Sequence, residues 1–156
     1  MGDRERELLL SLLRNQRVAS LAVLVREHPY ASLVPFAMTG DLSAALIHTS
    51  RLARHSEGLA SGAFFSLLIH EPDVSQDTNP AQLARVSLEG RISPYERTEE
   101  AYIPARDLYL AKFPKSQITF DLADFTLHAL QIERCRFVAG FAQTFNLTSA
   151  ELSALT

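Results

Sequence analysis

Two apolar runs, Tyr30 to Met38 and Leu42 to Thr49, are separated only by Thr39-Gly40-Asp41. A connection that short is a hairpin turn with no room for a crossover helix, so the two runs are expected to be adjacent antiparallel strands. This argues against a doubly wound parallel sheet, in which most strand pairs are joined through a helix. The glycine fingerprint of dinucleotide-binding folds and the Walker phosphate loop are also absent from the sequence.

The rest of the chain fits around that hairpin. Asp3 is a candidate N-cap, and Leu8, Leu9, Leu12 and Leu13 fall on one face of a helix over 3–15. Val18 to Val25 reads as a buried strand, ended by Glu27-His28-Pro29. After Thr49 the spacing of Leu52, Ala53, Leu59 and Ala60 predicts a helix with Gly62 as its left-handed terminator, and Ala63 to Ile69 predicts a strand. A long loop is expected over 71–80. Arg85 to Pro94 alternates strictly, with Val86, Leu88 and Gly90 on one side and Arg85, Ser87, Glu89 and Arg91 on the other. Thr98 is the expected cap of a helix over 99–112, in which Pro104 marks a start or a kink, and Glu99-Glu100 would complement its dipole. Phe125 to Val138 is a last long strand, followed by Gly140 and a tail helix near 149–155. About six strands with short turns make this a mainly β chain, a small antiparallel barrel with peripheral helices.

Length and charge bound the function. A chain of 156 residues is expected to form one domain, with the barrel over 18–138 and a tail over 139–156. A net charge of -3 provides no field for a polyanion, so no nucleic-acid partner is expected. The charged start, Asp3-Arg4-Glu5-Arg6-Glu7, and the short apolar run after it suit neither a signal peptide nor a membrane span, which points to a cytoplasmic protein. Cys135 is the single cysteine and reads as a buried thiol. The five histidines show no zinc-binding spacing, so no metal site is expected. Phe64, Phe65, Phe120 and Phe125 are expected in the core, and Tyr95, Tyr102 and Tyr109 read as packing residues.

The most informative stretch is Thr49-Ser50-Arg51-Leu52-Ala53-Arg54-His55-Ser56. If a helix starts there, Arg51, Arg54 and His55 at i, i+3 and i+4 share one face of its first turn. Cations at a helix N-terminus oppose the dipole, and a bound anion would reverse the sign. Backbone N–H groups, the hydroxyls of Thr49 and Ser50, and guanidinium forks suit one phosphate. The competing reading is a solvated basic turn neutralised by Glu57.

The segments His28-Pro29-Tyr30-Ala31-Ser32-Leu33-Val34-Pro35-Phe36-Ala37, His48 through His55, Ala84 through Arg91 and Phe137-Val138-Ala139-Gly140-Phe141 occur in this order. Together they resemble the FMN-binding split barrels related to pyridoxamine 5′-phosphate oxidase, and most closely the haem-utilisation branch. The resemblance implies a homodimer with FMN between the subunits and a small-molecule electron donor or acceptor. Thr49 matches a threonine at the flavin's phosphate end, with Ser50 and Arg51 beside it, and Arg54-His55 matches the Arg-Lys pair that holds the phosphate. Arg85 stands where the oxidase has a glutamine near the cofactor, and Ser32 and Val34 lie on the matched flavin-side strand. Histidine for lysine implies that FMN affinity falls with rising pH, with the decline expected above neutrality.

The departures narrow the activity. Ser32 replaces a flavin-contacting arginine, and Ala37 replaces the lysine for the substrate phosphate. No arginine follows Gly140, which argues against pyridoxamine phosphate oxidation. Haem binding or degradation is the alternative implied by the branch, although no histidine follows His128 to match the branch's C-terminal iron ligand. A cofactor-free binding module is the third reading.

Overall fold

The computed structural model describes residues 1–77, 79–141 and 143–156. Strands β1 (Val18–Val25), β2 (His28–Pro35), β3 (Ala37–Met38), β4 (Ala44–Ser50), β5 (Phe64–His70), β6 (Arg85–Pro94), β7 (Phe125–Gly140) and β8 (Gln143–Thr148) form one antiparallel sheet. Its order is β2-β1-β5-β6-β7-β4-β3, with β8 added to β7. The helices are α1 (Asp3–Asn15), α2 (Tyr102–Lys112), α3 (Gln117–Phe120) and α4 (Ser149–Ser153).

The sheet curls around a core built from alternate residues. In β1, Ala19, Leu21, Val23 and Val25 face inward, and α1 adds Leu9, Leu12 and Leu13 to the same cluster. A second apolar cluster lies behind β4, where Ala44 and Leu46 meet Tyr102, Tyr109, Phe113 and Phe120 of the α2–α3 region. Cys135 is buried in the main core, and burial pushes its thiol up to about 12. No described helix is long and apolar enough to cross a membrane.

The strand over 85–94 keeps its expected bounds and alternation, whereas several other expectations change. The run from Tyr30 to Met38 is two strands. β2 pairs with β1 as far as Pro35, and beyond it β3 pairs with β4, so only the second half forms the hairpin. Proline supplies no ladder donor there, and Phe36 N–H bonds instead to Arg17 O at 3.3 Å. The N-cap of α1 is Gly2, whose N–H donates to Glu5 Oε2 at 2.9 Å, and Asp3 is the first helical residue. Thr98 makes no capping hydrogen bond among the described residues and Glu99-Glu100 precede the helix, because α2 begins at Tyr102 with Pro104 in its first turn, where a missing N–H costs least. Phe64 is 59% exposed because it lies on the outward parity of β5. The tail contains β8, missed although Phe145 and Leu147 alternate, and Thr148 then caps α4 reciprocally with Glu151. The expected loop over 71–80 has no strand or α-helix among its described residues, and Thr78 within it lies outside them.

Candidate functional site

β4 ends at Ser50, and the next residues make turns rather than the expected helix; only a 3₁₀ segment, Arg54–Gly58, follows. Local hydrogen bonds compete with the helical ladder here. Ser50 Oγ accepts Leu52 N–H at 3.1 Å and donates to Asp124 Oδ2 at 2.6 Å, and Ser56 Oγ donates to Ser50 O at 2.6 Å. The segment lies close against β1: a Cβ at Gly58 would stand 2.6 Å from Leu24 O, so only glycine permits that approach. Gly62 has the expected positive φ of 79°, but in the turn before β5, since the helical segment ends at Gly58.

Arg51 therefore leaves the expected cluster. Its backbone N–H donates to Asp124 O at 2.7 Å and its Nη2 to Ala123 O at 3.1 Å, toward the cleft lined by Tyr95 and Arg97. Ser50 is also committed, as a brace between the turn and Asp124. The three cations on one helical face thus reduce to Arg54 and His55.

These two stand beside β2. The Arg54 guanidinium lies over the Tyr30 ring, 5.2 Å from its centroid, and makes no ion pair among the described residues. Glu57, the expected neutralising partner, is bound to Arg26 Nε at 2.9 Å instead. His55 Nδ1 is 3.1 Å from Ser32 Oγ, while its Nε2 is buried with no partner. Burial holds this imidazole below its usual pKa. Val34, on the same inward parity as Ser32, is 2% exposed and belongs to the core.

Thr49 is buried, and its Oγ1 has no partner. The register sets Thr49 opposite Thr126 and Ile47 opposite His128, so all four share the inner face. His128 is a residue that the sequence reading treated only as a failed zinc ligand. It is buried with Nδ1 unpartnered, and its pKa is pushed down to about 4 by burial, which outweighs the raising effect of the Thr126 backbone, with a further lowering from the nearby His55. Its equal parity with Leu130 and Ile132 was the signal available in the sequence. Thr49 Oγ1, His55 Nε2 and His128 Nδ1 are the buried side-chain polar atoms left without partners among the described residues. Buried donors and acceptors rarely stay unpaired, so these three atoms mark the inner face at this end of β4 as the candidate site.

Arg85 is not brought to this place. Val86 faces inward, so Arg85 faces outward, where its Nη1 donates to Ala81 O at 3.2 Å and Leu83 O at 3.1 Å. It pairs with Val138 of β7, twelve positions from the Thr126 that faces Thr49, or roughly 40 Å along the strand.

The outer face of β1 and β2 has a different character. Outward positions Val18, Ser20, Ala22 and Leu24, and Pro29, Ala31, Leu33 and Pro35 opposite them, carry no charge. Leu33 is 69% and Leu24 57% exposed.

This curled antiparallel half-barrel with peripheral helices is the fold of the split barrels of the pyridoxamine phosphate oxidase type. No protein-family model and no curated protein matches the chain. Among solved structures, it is similar to the haem-binding protein from Mycobacterium smegmatis, at 27% identity and TM-score 0.81, over 97% of this chain and 59% of that one. It is also similar to HutZ, a haem storage protein from Vibrio cholerae, at 21% identity and TM-score 0.64, over 93% of this chain and 97% of that one. A third similar structure is a protein related to general stress protein 26, of the pyridoxine phosphate oxidase family, from Clostridium acetobutylicum, at 11% identity and TM-score 0.68, over 97% and 99% of the two chains. The neighbours thus include haem-binding, haem storage and oxidase-family proteins, matching the resemblance drawn from the sequence.

Proposed function

We propose that the chain is an FMN-binding, redox-active split barrel that works as a homodimer. The observation that carries this reading is the pair of buried, unpartnered polar atoms, Thr49 Oγ1 and His55 Nε2, beside the uncompensated Arg54. A phosphate monoester supplies what each lacks: oxygens for the hydroxyl and the imidazole N–H, and charge for the guanidinium. On this reading the Ser32 hydroxyl, 3.1 Å from Nδ1, is the donor of that bond and leaves the imidazole proton on Nε2. His128 closes the inner side of the same site. Bound FMN would supply the electron-transfer chemistry, with a small-molecule donor or acceptor as partner, and the protein's part is position and electrostatics.

The uncharged outer face of β1 and β2 supports the dimer. A contiguous apolar surface of this kind is normally covered. Dimerisation also offers a reason for Arg85: too far along the sheet to meet Thr49 of its own chain, it is left to meet a ligand shared with a second copy. Light scattering at micromolar concentration should report a dimer, and a monomer would remove the shared site.

The binding test compares FMN with riboflavin, which lacks the phosphate. Replacing both Arg54 and His55 by alanine should weaken FMN by ~3 kcal/mol or more and riboflavin little. Equal losses would take both residues out of the phosphate site. The pH profile adds a second check. Because burial lowers the pKa of His55 and the Ser32 contact makes it a neutral Nε2–H donor, FMN affinity should stay level above neutrality rather than fall there as the resemblance implied, and a fall above pH 7 that His55→Lys flattens would show that an imidazolium holds the phosphate instead. Haem is the second reading, favoured by the haem-binding and haem storage proteins among the structural neighbours. A Soret band on haem titration without flavin bands on FMN titration would put it first.

A further inference from the structure

The chain holds thirteen arginines and only two lysines, Lys112 and Lys115. A guanidinium is never deprotonated, whereas an amine becomes a nucleophile once it loses its proton, so chemistry of that kind falls to these two side chains. They stand in different places. Lys115 is exposed in the 3₁₀ turn Pro114–Ser116. Lys112 ends α2 and lines a cleft of about 340 Å³ between that helix, Arg14 of α1 and the Met38-Thr39-Gly40 stretch that closes β3.

No carboxylate offsets the Lys112 amine. It is half-buried, its Nζ donates to Gln16 O at 2.6 Å, and it lies 4.4 Å from the centroid of the Phe36 ring. Its charged neighbours are cations: Arg14 shares the cleft, and the Arg17 guanidinium sits over Phe113, 5.0 Å from the centroid. None of the three makes an ion pair among the described residues. The acidic groups of the surrounding elements are elsewhere or engaged. Asp107 of α2 is bound to Arg106 at 3.0 Å, and Asp41 accepts the Ser43 N–H at 3.1 Å and the Ser43 Oγ–H at 2.8 Å. Asp3, Glu5 and Glu7 of α1 lie seven or more positions before Arg14, about 10 Å or more along the helix. Burial, and then Arg17, push the amine down to about 8, which leaves about a tenth of it neutral at pH 7. The bond to Gln16 O uses one N–H, which a neutral amine retains, so the nitrogen is held in position with its lone pair free.

We propose that Lys112 is a carbonyl-reactive amine, a covalent site for small aldehydes or α-keto acids that carry an anionic group. The anion meets Arg14 on the cleft wall, and the carbonyl carbon meets Nζ. The lone pair of the neutral amine attacks that carbon and the C=O pair moves onto oxygen. The two protons of the nitrogen then leave with that oxygen as one water, and a C=N bond replaces C=O, with nothing oxidised or reduced. No residue of the Thr49–His55 site takes part, so the proposal stands apart from the flavin reading.

Reductive trapping of the imine with cyanoborohydride, read by peptide mass mapping, tests it on the intact protein, with Lys115 as the internal standard. At pH 7 glyoxylate should label Lys112 about ten-fold faster than Lys115 or better, as a desolvated amine at a cleft should against an exposed one. Acetaldehyde, which lacks the carboxylate, separates recognition from reactivity. The ratio of glyoxylate to acetaldehyde labelling should be about three-fold higher at Lys112 than at Lys115, the worth of one partly exposed ion pair. Arg14→Gln, at an exposed position, should bring that ratio down to the Lys115 value. Lys112→Arg should remove the first adduct and keep the second. A Lys112 that reacts no faster than Lys115, or a glyoxylate preference that survives Arg14→Gln, would overturn the proposal.

Discussion

His48 and Thr49 are consecutive residues of β4, both buried, and they face opposite sides of the sheet. Behind the strand, the His48 ring is stacked and its Nδ1 has a partner. Its ring stacks on Phe120 with centroids 3.7 Å apart and planes at 3°, and its Nδ1 is 3.2 Å from Thr119 Oγ1. That hydroxyl already donates to Ser116 O at 2.8 Å, so it must accept from His48, which fixes the proton on Nδ1. On the inner side, Thr49 Oγ1, His55 Nε2 and His128 Nδ1 have no partner among the described residues. The same strand thus carries a finished polar contact on one face and an unfinished set on the other. Finished contacts hold the fold, and unfinished ones are where a ligand completes the network.

Phe120→Ala attacks the finished side and should have the largest effect on stability. Truncating a buried aromatic ring costs ~3–5 kcal/mol, and here it also removes the stack on His48 and the edge contact with Tyr109. Urea unfolding should show that loss, while the ratio of FMN to riboflavin affinity stays near the parent's. A ratio that collapses with stability would mean that the two sides of β4 are not separate.

The contrast also explains what the sequence could and could not reveal. Strict alternation made β6 legible to the residue, because Val86, Leu88, Gly90 and Ile92 leave one reading of which face is buried. The turn after Thr49 was misread as a helix because Leu52, Ala53, Leu59 and Ala60 have helical spacing; what prevents the helix is Asp124, brought to Ser50 from seventy-four residues away. Arg54 and His55 were singled out through their resemblance to a phosphate-binding pair, and the structure sets them beside β2, Arg54 over Tyr30 and His55 at Ser32. Arg51 was lost for the reason the helix was lost. His128 lay unnoticed among apolar residues, since a buried histidine gives no sign in sequence of whether its nitrogens will find partners.

Acid should act on both sides of β4. The pKa of His48 is pushed down to about 4, first by burial and then by Arg97 and His128, and that of His128 also to about 4. An imidazole whose folded pKa lies below its unfolded value of 6.5 stabilises the fold fully above that value, and the contribution fades as pH falls through the window to 4. Each should remove ~3 kcal/mol by pH 4. Urea unfolding from pH 7 to 4 should show this decline, and His48→Phe should make it shallower. A flat profile would mean that these rings are open to water, and the comparison would lose its basis in burial.

The finest test places two threonines against each other. Thr119→Val removes the acceptor that His48 Nδ1–H uses and strands a buried donor, which should destabilise the free protein by about 1–3 kcal/mol. Thr49→Val removes a hydroxyl that has no partner to lose, and replacing an unsatisfied buried hydroxyl by a methyl of the same shape should leave the free protein unchanged or more stable by up to ~1 kcal/mol. The order should reverse in ligand binding. Thr49→Val should weaken FMN and spare riboflavin, since the hydroxyl is assigned to the phosphate, and Thr119→Val should leave the ratio of the two alone. Paired urea melts and flavin titrations on the two variants decide it: a Thr49→Val that destabilises as much as Thr119→Val would show that the Thr49 hydroxyl is already satisfied, and that the inner side of β4 is as complete as the outer.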